Sequence, residues 1–179
     1  MKEVEVKIIE IDQEAVEDKL RSLAAKKTLD GDVETLFFDF PDNSISKAKN
    51  LLRLRRVGNE TTLTFKKFVE NGLAKVRVEH EVSVSDLEAT ISIMESLGLI
   101  TTLRMEKHRT SYALKNGVAV EIDKYAGQYA YIPTLLEIEG TDTPTIHEQA
   151  KLLGFKPEQC KSWTTFELID YDSSRKQKQ

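Results

Sequence analysis

The chain has 179 residues, 40% of them hydrophobic and 31% charged, and carries a formal net charge of −4. It is long enough to bury a core as one domain or two small ones, and its balance argues against a general nucleic-acid or membrane-surface binder. Cys160 is alone and His80, His108 and His147 lie far apart, which excludes a disulfide framework and a thiolate or histidine metal site.

Alternation of period two, the mark of half-buried strands, runs through most of the sequence. The first strand, about 3–11, opens MKEVEVKII, where Glu3, Glu5 and Lys7 alternate with Val4, Val6 and Ile8. A helix over about 13–27 follows, with Val16, Leu20, Leu23 and Ala24 on one stripe. Strands are predicted next at about 34–40, 50–57, 60–68 and 74–85, the middle pair turning at Gly58-Asn59, where positive φ is cheap. The second helix starts at SDLE, with Ser85 and Glu88 as a capping box, carries Leu87, Ile91, Met94 and Leu97, and stops at Gly98.

Two further strands, about 101–115 and 117–125, turn at Lys115–Gly117, and a last one covers about 134–140. The third helix follows Thr143-Pro144, with proline at its first position, carries Ile146, Ala150 and Leu153, and ends at Gly154. These stripes read as core. The fold class is α+β with a large antiparallel sheet, residues 1–170 form a single domain, and 171–179 form a polar tail expected to be disordered. No apolar run reaches the length of a membrane span and no signal-peptide pattern is present, so a cytoplasmic location is expected.

The polar faces carry the functional signal. Arg53 and Arg55 alternate with Leu52 and Leu54, and Thr62, Thr64 and Lys66 with Leu63 and Phe65. Arg77, Glu79 and Glu81 alternate with Val76, Val78 and Val82. Lys107 and Arg109 follow, then Glu121 and Asp123 opposed to Val118, Val120 and Ile122, then Glu137 and Glu139 opposed to Leu136 and Ile138. A solvated face explains any single strand. For the whole set it is less economical, because exposed faces usually mix Thr, Ser, Gln and Lys. Closing eight strands into a barrel removes the edges. Turning the charges inward then leaves the aliphatic face outside, where the three helices can cover it. Such an interior must be hydrated and paired, since an unpaired buried ion costs several kcal/mol, roughly. The expected architecture is therefore a closed eight-stranded antiparallel barrel with a charged lumen and helices packed outside. The strand at 101–115 fits less well, since Arg104, Glu106 and His108 put charge on its outer side too.

A lumen of this kind suits an ionic ligand. Arginine offers a planar fork and lysine a point charge for phosphate oxygens. Carboxylates suit hard cations such as Mg²⁺, which commonly needs only one or two of them and takes water and phosphate for the rest.

EVEVK at Glu3–Lys7 resembles the ExExK signature of the CYTH family, the triphosphate tunnel metalloenzymes. LRLR, TFKK, RVEHE, EKHR, EID and LEIEG follow in that family's order over about 3–140. The resemblance implies an enzyme that binds a small-molecule triphosphate with Mg²⁺ or Mn²⁺. It implies Glu3, Glu5, Asp123, Glu137 and Glu139 as metal carboxylates. It implies Lys7, Lys107 and Arg109 at the reacting phosphates, with Arg53, Arg55, Lys66 and Arg77 as further phosphate ligands. Lys161 resembles a C-terminal lysine that closes the tunnel in some members. Glu79 and Glu81 are open between a second metal and pairing with arginines, and Glu121 reads as structural.

The stretch EHEVSVSDLEATISIMESLGL is most like compact class IV adenylyl cyclase-type proteins, implying conversion of ATP to cyclic AMP and pyrophosphate. YAGQYAYIPTLLEIEG departs from the usual cyclase spacing. The alternatives are a tripolyphosphatase, a thiamine or nucleoside triphosphatase, or a non-catalytic triphosphate or polyphosphate sensor. Tyr129, Tyr131 and Trp163 could stack on a base or thiazole, or simply pack within the fold. Neither nucleic acid nor membrane is expected as a partner, and the chain is read as a monomer or homodimer.

Overall fold

A computed structural model describes residues 4–71 and 75–176, with side chains described except at 69–77 and from 172 onward. Along the chain come β1 (Val4–Ile9), α1 (Gln13–Ser22), β2 (Lys26–Asp39), α2 (Ser44–Lys47), β3 (Leu51–Val57), β4 (Glu60–Asn71) and β5 (Lys75–Val84). Then follow α3 (Leu87–Ser96), β6 (Ile100–Ala113), β7 (Ala119–Tyr125), β8 (Leu135–Gly140), α4 (Thr143–Leu152) and α5 (Thr165–Lys176). Hydrogen bonds order the strands β1-β8-β7-β6-β2-β3-β4-β5. The β1–β8, β7–β8, β6–β7, β2–β3, β3–β4 and β4–β5 ladders are antiparallel. Gly58 (φ +56°) and Gly117 (φ +80°) turn the chain at the two predicted hairpins.

The expected closed barrel is corrected by this order. Among the described residues β1 and β5 end the ladder without pairing to each other. At β1 the physical reason is visible. The Lys7 N–H donates to the Lys161 carbonyl at 2.7 Å and the Lys161 N–H to the Lys7 carbonyl at 2.8 Å. At Lys7 the second edge of β1 is thus paired with the segment after α4.

The chain forms two compact units. One spans Asp32–Glu106. Its core joins Leu36, Phe38 and Leu54 to Met94 and Leu99, with Leu52, Leu63, Leu87 and Ile91 against them. Helix α3 therefore covers the aliphatic face of β2, β3 and β4. It reaches β5 only at Val84, and Val78 and Val82 remain exposed. Asp39, buried, accepts backbone N–H groups of Phe40, Ile45 and Ser46 at 2.8–2.9 Å and so anchors the start of α2.

The other unit joins the segment up to Gly31 with that from Lys107 onward. Its core sets Val16 and Leu20 of α1 and Ile146, Ala150 and Leu153 from α4 and its end against Val6, Ile8, Val120, Ile122, Leu136 and Ile138. The helices lie on the aliphatic side in both units, as the alternation predicts. Arg104, Glu106 and His108 on the reverse side of β6 are exposed, also as predicted.

Several local features differ from the sequence reading: α2 and α5 lie outside the three predicted helices, and α5 runs to Lys176, into the 171–179 tail expected to be disordered. Helix α1 stops at Ser22, short of 27, because Ala24 adopts φ +53° and the Ala25 N–H donates back to the Leu20 carbonyl. The chain then enters β2 at Lys26, well before 34. The cap of α3 is Asp86, whose carboxylate accepts the Ala89 N–H at 2.9 Å, rather than Ser85. No described helix is long and apolar enough to cross a membrane.

Candidate functional site

The faces opposite the two cores carry the charged residues. In the unit containing β1, β7 and β8, register brings four strands' polar positions together. Lys7 stands opposite Glu137, Glu137 opposite Glu121, and Arg109 opposite Asp123. Because both backbone groups of Lys7 bond to Lys161, the Lys7–Glu137 pair is the non-hydrogen-bonded kind, in which side chains lie closer. Lys7 Nζ donates to Glu137 Oε1 and to Glu5 Oε1, both at 2.8 Å. Glu121 and Glu137, like charges directly opposed, would repel. Arg109 resolves this, binding Glu121 through Nη1 and Glu137 Oε2 through Nη2 at 2.9 Å.

Arg109 also grips Asp123 bidentately, Nε to Oδ1 and Nη2 to Oδ2, both at 2.6 Å. Lys107 Nζ completes Asp123 at 2.6 Å from Oδ2 and lies 5.6 Å from the centre of the Tyr125 ring. Lys7, Arg109 and Glu137 are buried and Asp123 is wholly so, whereas the Glu5 side chain keeps 48% of its exposure.

The electrostatics follow. Burial alone would raise the carboxyls of Asp123 and Glu137. The adjacent cations outweigh it, Lys107 and Arg109 at Asp123 and Lys7, Arg109 and Lys107 at Glu137, and hold both below the usual range. Glu5 moves the other way, raised by loss of surrounding water and by the Glu137 charge, with Lys7 opposing. Burial would lower Lys7, but Glu137 and Glu5 outweigh it and raise its ammonium. Tyr125 is raised by burial and then by Asp123 and Glu137.

The other unit has its own charged face. Lys66 pairs with Glu79, and Thr64 Oγ1 donates to Glu81 Oε2 at 2.8 Å. These carboxylates are cross-strand partners of β4 side chains in the β4–β5 ladder. Arg55 lies on the same face, its Nε buried without a hydrogen-bond partner and its guanidinium in no ion pair among the described residues. Arg53 sits opposite Thr64 in the β3–β4 ladder. Glu3 and the side chain of Arg77 lie outside the described residues.

The structure therefore brings Glu5, Lys7, Lys107, Arg109, Asp123 and Glu137 into one bonded cluster within one unit. It places Arg53, Arg55 and Lys66 on the face of the other. Glu139 stands opposite Glu5 on β8. Lys161 reaches Lys7 through its backbone, while its ammonium donates to the Glu158 carbonyl at 2.8 Å. Trp163 packs on Tyr171 at 4.6 Å, and Tyr129 on Tyr131 at 6.3 Å between ring centres. Glu121 is bonded to Arg109 and lies 3.4 Å from Ser111 Oγ. Tyr125 escaped the sequence reading, although EIDKY sets it two residues from Asp123 and hence on the same face.

The donors fit a hard cation of the Mg²⁺ type. Glu5 and Glu137 flank a single ammonium, so a positive centre already sits between two carboxylates. Among the described residues no three His, Cys, Asp or Glu side chains converge to hold a metal by themselves. That combination suits an ion taking one or two carboxylates and completing its shell with water and phosphate.

A family model described as CYTH domain matches residues 1–156. A solved structure of a conserved hypothetical protein from Pyrococcus furiosus is 28% identical, covering 93% of this chain and 99% of its own, with a TM-score of 0.75. A candidate adenylate cyclase from Vibrio parahaemolyticus is 15% identical, covering 95% of this chain and 98% of its own, with a TM-score of 0.78. A candidate adenylyl cyclase from Hippeastrum, described as having a dominant triphosphatase activity, is 16% identical, covering 96% of each chain, with a TM-score of 0.64. Comparison with curated proteins gives no match.

Proposed function

Because the chain belongs to the CYTH domain family, we propose that its charged faces bind the triphosphate group of a small molecule and that it is a divalent-metal-dependent enzyme cleaving a phosphoanhydride bond. The observation that carries this reading is the buried cluster of Lys7, Arg109, Asp123 and Glu137 with half-exposed Glu5. Phosphoryl and nucleotidyl transfer ask little covalent chemistry of a protein and much positioning and charge neutralisation.

In this reading Lys7, Lys107 and Arg109 hold phosphate oxygens, and Arg53, Arg55, Lys66 and Arg77 are further phosphate ligands. One or two of Glu3, Glu5, Asp123, Glu137 and Glu139, with Glu5 and Glu137 first among them, would hold Mg²⁺ or Mn²⁺, which when bound polarises phosphoryl oxygens and neutralises charge on the leaving group. Arg109 keeps its fork fixed because Asp123 is clamped bidentately behind it. Lys161 holds β1 in place at Lys7 through the backbone pair.

Cyclisation of ATP to cyclic AMP and pyrophosphate is the first activity proposed, in line with the resemblance of 79–99 to compact cyclase-type proteins. Hydrolysis of tripolyphosphate or thiamine triphosphate is the second. For tripolyphosphate, which carries no ring to stack, it is supported by Tyr129, Tyr131 and Trp163 each packing against another ring of the protein. Purified protein with ATP, tripolyphosphate or thiamine triphosphate and Mg²⁺ or Mn²⁺ decides: cyclic AMP with pyrophosphate marks a cyclase, orthophosphate a hydrolase. Binding without turnover in every combination, or activity untouched by both Glu5→Gln and Arg55→Ala, overturns the reading.

A further inference from the structure

We propose that the groove beside α3, in the unit spanning Asp32–Glu106, binds a small zwitterion of the aliphatic α-amino-acid class. The groove lies on the helix-covered side of the sheet, away from Arg53 and Arg55, and the proposal stands independently of the triphosphate reading. Its starting point is Glu34. On β2 it shares a face with Leu36 and Phe38, so a carboxylate stands where the alternation calls for an aliphatic residue. Its side chain is only 9% exposed. Arg56, its cross-strand partner on β3, brings Nη2 to 2.6 Å from Oε2, and Arg104 of β6 brings Nη2 to 2.5 Å from Oε1. Oε2 nevertheless accepts no hydrogen bond of good geometry. A buried ion pair is often no more stabilising than apolar groups of like volume, so core stability does not account for Glu34. What it does is hold two guanidinium groups together beside the groove.

The groove encloses about 350 Å³, at the small end of the range for small-molecule sites. Leu36, Leu87 and Ile91 give it an apolar stretch. Each arginine gives one nitrogen to Glu34 and keeps N–H donors that no other described residue takes up, apart from Arg104 Nε, 4.0 Å from Glu106. On the helix side the same groove is lined by Glu88 and Glu95, both exposed and in no ion pair or hydrogen bond among the described residues. They stand seven residues apart, hence two turns and about 10 Å along one side of α3.

Two guanidinium groups on one carboxylate leave a net positive side, the two helix acids leave a negative one, and aliphatic surface joins them. An anion alone would face Glu88 and Glu95, and a cation alone would face Arg56 and Arg104. A zwitterion answers both. Its carboxylate takes the free donors of Arg56 and Arg104, and its ammonium goes to Glu88 or Glu95. Its side chain then covers Leu36, Leu87 and Ile91, where burial adds to the affinity.

The test is titration of the full chain with L-leucine, followed in amide NMR spectra, beside isocaproate, which lacks the ammonium, and isoamylamine, which lacks the carboxylate. Saturable shifts are expected at Glu34, Arg56, Ile91 and Arg104, with a Kd of about 1 mM or tighter. Each truncated probe should bind at least about 10-fold more weakly, since it forfeits one charge-assisted set of hydrogen bonds. Arg104→Gln should weaken leucine and isocaproate alike by about 10-fold and leave isoamylamine no weaker. The double change Glu88→Gln with Glu95→Gln should do the converse, weakening leucine and isoamylamine and sparing isocaproate. All three positions are exposed, and thermal melting checks that the variants fold. No saturable shift up to about 10 mM leucine, or shifts that lie away from the groove, overturn the proposal. So do isocaproate or isoamylamine binding as tightly as leucine, which would mark a plain anion or cation site, and variants that fold and bind all three probes as wild type does.

Discussion

Arg109 should be the most stability-sensitive charged residue of the described site. It is 5% exposed and bonds three carboxylates, one of them, Asp123, with no exposure at all. Truncation to Met keeps the aliphatic stem but leaves Asp123 with Lys107 alone and sets Glu121 against Glu137 with nothing between them. Removing one partner of a buried pair costs about 3–5 kcal/mol, far more than the net worth of the pair itself. For a chain of this size each kcal/mol moves the melting point by about 2–4 °C, so a fall of roughly 6–20 °C is expected. Urea titration and thermal melting at neutral pH measure it. Arg109→Lys should recover part of the loss, since it restores the charge without the fork.

The pH dependence supplies a second check on the same residue. Asp123 and Glu137 have folded-state values below their unfolded ones because Lys107, Arg109 and Lys7 outweigh burial. Their contribution is therefore fully present above the ordinary carboxyl range, about 4, and is lost as pH falls through it and below. Arg109→Met has less of that contribution to lose, so its deficit against wild type should narrow on acidification from pH 7 to pH 3. A deficit under about 1 kcal/mol at pH 7, or one that widens in acid, would refute the burial argument.

Three further outcomes are expected. Asp86→Ala should cost about 1 kcal/mol through loss of the α3 cap while Ser85→Ala stays within about 0.5, measured by urea denaturation. Ile138→Ala, at a fully buried position under α1 and α4, should cost about 2–5 kcal/mol by the same method. Tyr125→Phe should leave triphosphate affinity within about twofold, because the ring beneath Lys107 is kept, whereas Tyr125→Leu removes a contact of about 0.5–2 kcal/mol and should weaken binding by about 2- to 30-fold in calorimetric titration.

The sheet faces were legible because a period of two admits only two assignments and the helix stripes choose between them. Val6, Ile8, Val120 and Ile138 had to meet α1 and α4, which sent Glu5, Lys7, Asp123 and Glu137 to the other side. What was not legible depends on partners distant in sequence. The stop of α1 uses Ala24 at positive φ, with no glycine to announce it. The first half of β2, from Lys26, lacks apolar alternation and is a strand only because β6 lies beside it. Helix α2 is a single turn, anchored by an aspartate five residues before its first residue. The different bonding partners of Glu121 and Glu137 follow from β8 lying between β1 and β7, an order that no local pattern encodes.

That order also links stability to the proposed ligand binding. The aliphatic faces could fold a sheet with any polar reverse side, so nothing in the cores requires Arg, Lys, Glu and Asp behind them. Once placed there and shielded from water, those groups must pair with each other, and the pairs made without ligand use the same atoms a ligand would engage. Ligand stabilisation of the fold is then the difference between two sets of strong bonds, not the sum of new ones. A protein built this way gains less thermal stability from its ligand than the number of contacts would suggest. Glu5 differs from the other acids of the cluster: it is half exposed, and its carboxyl is raised rather than lowered.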